Sequence, residues 1–223
     1  MITLIKNTAF WYALAHMKTH LEPLAIATNF AQATFYCLDQ ILLTFRSLIA
    51  YYLKLPDVSD PGVQAIIASI EKQWDKADQE IFIAAVILNP FIKITPFNTS
   101  VSLFMNMGIF NLMKYLYTHF FKISESTTEF ATNCTTLLND VCTYLHGEHQ
   151  FEGLDGYCKL VEDQAKEKGL TPDPVQIYTD LSNPNPKVLL PPLYKVMFAI
   201  CPNLASCECL FSMFGNTLTK LWS

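Results

Sequence analysis

Apolar positions recur along this chain with helical rhythm and almost nowhere alternate as a half-buried strand requires. Phe10, Trp11, Leu14 and Met17 mark a first helix over Thr8 to His20. Glu22-Pro23 then opens a second, through Leu24, Ile26, Ala27 and Phe30, because proline suits the first turn of a helix and disrupts its interior. A third runs from about Leu38 to Leu53. Asp60-Pro61 is an acidic cap followed by proline at the first helical position, and it launches Val63, Ile66, Ile67 and Ile70 towards Trp74. Between Asp75 and Asn89 lies Ile81-Phe-Ile-Ala-Ala-Val-Ile-Leu88, apolar on every face, which places it inside a core until Pro90 stops it.

The second half continues in the same way. Ser102 to Phe121 is long enough to cross a bilayer, but Asn106, Asn111, Lys114 and His119 interrupt it, so it reads as a buried helix of a globular fold. Ser126-Thr-Thr-Glu129 fits a capping box for a helix through Leu137, Leu138 and Val141 to Leu145, with Gly147 beyond its end. Another runs from about Leu154 to Lys168, closed by Gly169, and Thr171-Pro-Asp-Pro174 caps a short one ending near Leu181. Ser182-Asn-Pro-Asn-Pro-Lys187 is the clearest linker. Past it, Leu190, Leu193, Val196, Met197 and Ile200 share a helix face, and a terminal helix carries Leu210, Phe211, Phe214, Leu218 and Leu221. The expectation is a mainly α fold of about seven to ten helices with few or no strands.

Composition narrows the chemistry. Apolar residues make up 51% of the 223, ample for a core, and the net charge of -5 with scattered Lys and Arg argues against a broad grip on phosphates. Met1 to Ala15, with Lys6 and Ala13-Leu-Ala15, resembles a leader only faintly and reads as a helix of the fold. Seven cysteines, an odd number, point to reduced thiols and an intracellular setting. Neither Cys201-x5-Cys207-x-Cys209 nor His146-x2-His149 has the paired spacing of a tetrahedral zinc site, so no metal ligand is expected from spacing. Neither a G-x-S-x-G elbow nor a Gly-rich phosphate loop is present.

The tail Cys201-Pro-Asn-Leu-Ala-Ser-Cys-Glu208-Cys-Leu-Phe-Ser-Met-Phe-Gly-Asn216 resembles the C-terminal dimerisation segment of hobo/Activator-type (hAT) DNA transposases. It departs from that pattern at Cys209, where the family has arginine. Phe10-Trp11 with His20-Leu-Glu-Pro-Leu-Ala-Ile26, Trp74 to Pro90, Asp173-Pro174 with Tyr178, and Pro191 to Pro202 are similar to the helical insertion and its connection to that segment. The resemblance implies a helical insertion-like region over 1–170 and a dimerisation segment over 171–223, the latter a helical remnant of an RNase H-like fold.

In the intact family three carboxylates hold two Mg2+ ions that activate water or a 3' hydroxyl. Only the third carries over, onto Glu208; residue 1 falls inside the insertion, so the two early aspartates have no counterpart here. The resemblance therefore implies a catalytically incomplete chain without a cofactor of its own, in which Glu208 is a vestigial ligand. Read from the residues alone, Glu208 is a first-turn carboxylate favoured by the helix dipole.

Three functions follow as expectations. The first is a truncated or domesticated transposase fragment that dimerises through Leu210, Phe211, Phe214, Leu218 and Leu221. Its partner would be a second copy or a full-length transposase; it would sit in the nucleus, meet DNA only through regions outside this chain, and have no membrane contact. The second is part of a metal-dependent strand-transfer enzyme completed by upstream residues. The third is a membrane-associated helical protein.

Overall fold

The computed structural model describes residues 6–33, 37–124, 126–181 and 188–200. Among them are nine α-helices, two short 3-10 turns and no strand, the mainly helical class that the periodicity predicts. They divide into two compact units, one ending at Ala77 and one spanning Asp78–Ile200.

The first unit contains α1 (Thr8–Ala31), α2 (Leu38–Leu53) and α3 (Pro61–Trp74). Its core is small: Tyr52, Val63 and Ile70 are buried, with Leu24, Phe45, Leu48 and Ile66 packed half-buried around them. The helix break expected at Glu22-Pro23 is absent, because α1 runs through Pro23 for 24 residues. Proline has no N–H, so the carbonyl of Thr19, four residues back, loses its intrahelical partner. Two neighbouring tyrosines on α2 supply donors at that point. The Tyr51 hydroxyl reaches the Thr19 carbonyl at 3.4 Å, and the Tyr52 hydroxyl donates to the His20 carbonyl at 2.6 Å. Docking against α2 thus meets the defect that local propensity would otherwise turn into a break.

The second unit contains α4 (Gln79–Leu88), α5 (Asn106–Phe121), α6 (Thr128–His146), α7 (Leu154–Glu167), α8 (Pro174–Asp180) and α9 (Leu190–Phe198). Here the core is extensive. The run Ala84 to Leu88 is buried throughout, as its unbroken apolar sequence predicts, and α9 packs against α4, α5, α6 and α8. Pro90 ends α4 and leaves the carbonyls of Ile87 and Leu88 without helical donors. Tyrosines again fill the gap: Tyr144 on α6 donates to Ile87 at 3.1 Å and Tyr178 on α8 to Leu88 at 2.7 Å. Tyr178 stacks on Tyr194, and Tyr194 on Phe198, with ring centroids 4.2 and 3.9 Å apart.

Helix ends follow the expected signals with one shift. Asp60 and Asp173 cap α3 and α8, and Gly147 and Gly169 take positive φ just past α6 and α7. The capping box drawn at Ser126-Thr-Thr-Glu129 is displaced by one residue: Thr127 is the cap, its hydroxyl accepting the Phe130 N–H at 3.1 Å. Glu129 then stands one position short of the place from which it could reach back to the cap N–H.

Candidate functional site

The residues expected to act, Glu208 and the stripe Leu210, Phe211, Phe214, Leu218 and Leu221, lie outside the described residues, as do Cys201, Cys207 and Cys209. His146 and His149 do not converge on further ligands; the His146 ring Nδ1 lies 2.7 Å from the Cys142 carbonyl on its own helix. Cys37, Cys134, Cys142 and Cys158 form no disulfide, and burial pushes Cys158 up to about 11, the condition of an inert core thiol.

Among the described residues one group of side chains gathers three ligand atoms: His16, His20 and Asp60, whose atoms all lie within 4.8 Å of one another. His16 and His20 are four residues apart on α1 and therefore share a helix face. Their rings meet edge to face at 4.4 Å. Asp60 comes from the other side as the cap of α3. Its Oδ1 accepts the Gly62 and Val63 N–H groups at 2.7 and 3.1 Å. His16 Nε2 is 3.5 Å from Oδ2 and His20 Nε2 is 3.9 Å from Oδ1.

The Val63 N–H, joined by that of Gly62 and by the two imidazoles, holds Asp60 below the ordinary carboxylate range, against an opposing push from desolvation. Gly62 makes the approach feasible, since a Cβ there would meet Asp60 Oδ1 at 2.9 Å and the His20 ring at 3.3 Å. The side chains are graded in exposure, from 14% for His20 through 20% for Asp60 to 48% for His16, so the group is open to solvent on one side. His16-x3-His20 was a visible signal, but its third member lies two helices further on.

A second polar cluster belongs to the second unit's architecture. Asp140 on α6 is 2% exposed and accepts the Leu189 N–H at 2.6 Å, with the Leu190 N–H also held on it. Pro191 and Pro192 have no N–H, so this carboxylate satisfies the donors that remain at the start of α9. Gln150 donates to Asp140 at 3.2 Å and to Thr143 at 3.1 Å. Burial raises Asp140 to about 6, outweighing the lowering by Leu189 and Leu190.

The two-metal chemistry that the resemblance would bring needs several carboxylates around Mg2+. Two imidazoles and one carboxylate do not fit that ion. No helix among the described residues is long and apolar enough to cross a membrane. No family model, no curated protein and no solved structure matches the chain.

Proposed function

We propose that this chain is a helical interaction module that self-associates and has no catalysis of its own, with descent from an hAT-type transposase as its origin. The observation that carries the reading is the bare face of α1. That helix of 24 residues has no buried residue. Phe10, Leu14, Met17 and Leu21 recur at i, i+4, i+7 and i+11 as one stripe, flanked by Trp11, and all are exposed. At about 100° per residue the stripe lies about a quarter-turn away from His16, His20 and Leu24, the side that faces the rest of the first unit.

A contiguous exposed apolar strip of this kind marks an interface. A second copy suits it because the helix carries almost no charge. Lys18 and Glu22 pair with each other at 3.6 Å, which leaves little like-charge repulsion between two such faces. The transposase resemblance favours the same occupant through the tail stripe, and its single carried-over carboxylate, Glu208, is too few for a two-metal site.

Sedimentation equilibrium tests this directly. The parent chain should be dimeric at tens of micromolar. Leu14→Glu/Leu21→Glu should weaken association by orders of magnitude with helical circular dichroism unchanged, as losing central apolar anchors does in other interfaces. Phe211→Ala/Phe214→Ala examines the tail's share. A monomeric parent, or a dimer indifferent to both double substitutions, would overturn the proposal.

A further inference from the structure

We infer that His16, His20 and Asp60 form a binding site for a borderline divalent transition-metal ion, Zn2+ in the first instance, joining α1 to the start of α3. Zinc bonds imidazole nitrogen and carboxylate oxygen at about 2.0–2.2 Å, so two ligand atoms on a tetrahedral ion stand roughly 3.3–3.5 Å apart. The separation of 3.5 Å between His16 Nε2 and Asp60 Oδ2 already has that value, while His20 Nε2 stands 3.9 Å from the other oxygen, Oδ1, and the three residues bring one ligand atom each within 4.8 Å of one another. Rotation of the imidazoles about their side-chain torsions would close the remaining gap around an ion.

The Asp60 carboxylate is suited to divide its work. Oδ1 is engaged by the Gly62 and Val63 N–H groups, which fixes the carboxylate plane, while Oδ2 faces His16. Such backing of a ligand by fixed donors orients it and favours its charged form. On α1, the Tyr52 hydroxyl bonded to the His20 carbonyl pins the backbone that carries the second imidazole. His16, on the open side, leaves room for water or a further ligand to complete the shell.

Donor chemistry sets the ion. Two nitrogens and one oxygen suit Zn2+, Co2+ or Ni2+, whereas Mg2+ and Ca2+ prefer oxygen donors alone. The site is separate from the apolar stripe of α1 and would clamp two helices whose shared core is small.

The test uses the full chain, stripped with chelator and titrated with Zn2+ by calorimetry, with Co2+ as the spectroscopic probe. One Zn2+ should bind per chain, and Co2+ should give visible bands of nitrogen and oxygen ligation. His16→Gln, at an exposed position, and Asp60→Asn, which keeps a competent helix cap, should each weaken binding by on the order of tenfold or more. His119→Gln should leave it unchanged, and Mg2+ should not compete. Absence of binding, an affinity unaltered in both site variants, or a sulfur-to-cobalt charge-transfer band indicating cysteine ligation would each overturn the inference.

Discussion

Asp60 in the first unit and Asp140 in the second both hold backbone N–H groups at the start of a helix, yet their environments move them in opposite directions. Asp60 caps its own helix at a partly exposed edge, and the donors win, so it is held below the ordinary range. Asp140 caps a helix 49 residues further along the chain from inside the core, and desolvation wins, so it is raised to about 6. A carboxylate with two N–H partners is thus not a fixed quantity; the water it gives up decides the sign. The same contrast holds for the units at large. The first has a cluster of three buried side chains with half-buried neighbours packed around it, and the second is built on the fully buried end of α4 and the tyrosines that close it.

Two glycines in first turns sharpen this difference most. In the second unit a Cβ on Gly108 would stand 2.3 Å from the Ser102 carbonyl oxygen and 2.5 Å from that of Leu103, both backbone atoms that cannot step aside. Gly108→Ala should cost about 3 kcal/mol in urea unfolding. At Gly62 in the first unit the obstacles are the tips of the Asp60 and His20 side chains, which give way more readily than backbone even though Asp60 is held by its cap bonds. Gly62→Ala should cost about 1 kcal/mol. Equal costs would break the comparison.

The tyrosine hydroxyls give the next effect. Tyr178→Phe leaves the Leu88 carbonyl orphaned in the core and should destabilise by about 2 kcal/mol, whereas Tyr52→Phe exposes the His20 carbonyl at a more open site and should cost about 0.5–1 kcal/mol. Hydrogen exchange resolved by segment assigns each loss to its unit. A larger loss for Tyr52→Phe would mean that the first unit is the better-shielded one.

The smallest effect is the pH dependence of Asp140. Its folded value of about 6 lies above its ordinary 3.8, so the folded state binds the extra proton between those limits. By linkage, its contribution to stability falls as pH rises from about 4 to about 6 and is level above. Measured against Asp140→Asn, which cannot ionise, the wild type should lose ground across that window in thermal melts. A flat difference would show that the carboxylate is better solvated than its burial implies.

Much of the fold was legible in the sequence because the signals are local. Asp60-Pro61, Asp173-Pro174, Gly147, Gly169 and Pro90 act within one helical turn, and the Ile81–Leu88 run needs no partner to declare itself buried. What escaped was non-local. Pro23 reads as a break until Tyr51 arrives from α2 to meet the freed Thr19 carbonyl, with Tyr52 on the carbonyl beside it. Asp140 looks like an ordinary helical acid until Leu189 approaches, and His16 and His20 need Asp60 from a different helix before they become a group. The expected tail residues are in neither class, for they lie outside the described residues.

The hydroxyl of Tyr178 on the Leu88 carbonyl also has a meaning in time. The two residues are 90 positions apart. At a synthesis rate of roughly 5–20 residues per second, the end of α4 waits roughly 5 to 20 seconds on the ribosome before the group that closes it exists. During that interval the most apolar helix of the second unit is complete in sequence but unfinished at its C-terminal end, which makes it the segment for which early shielding by a chaperone would matter most.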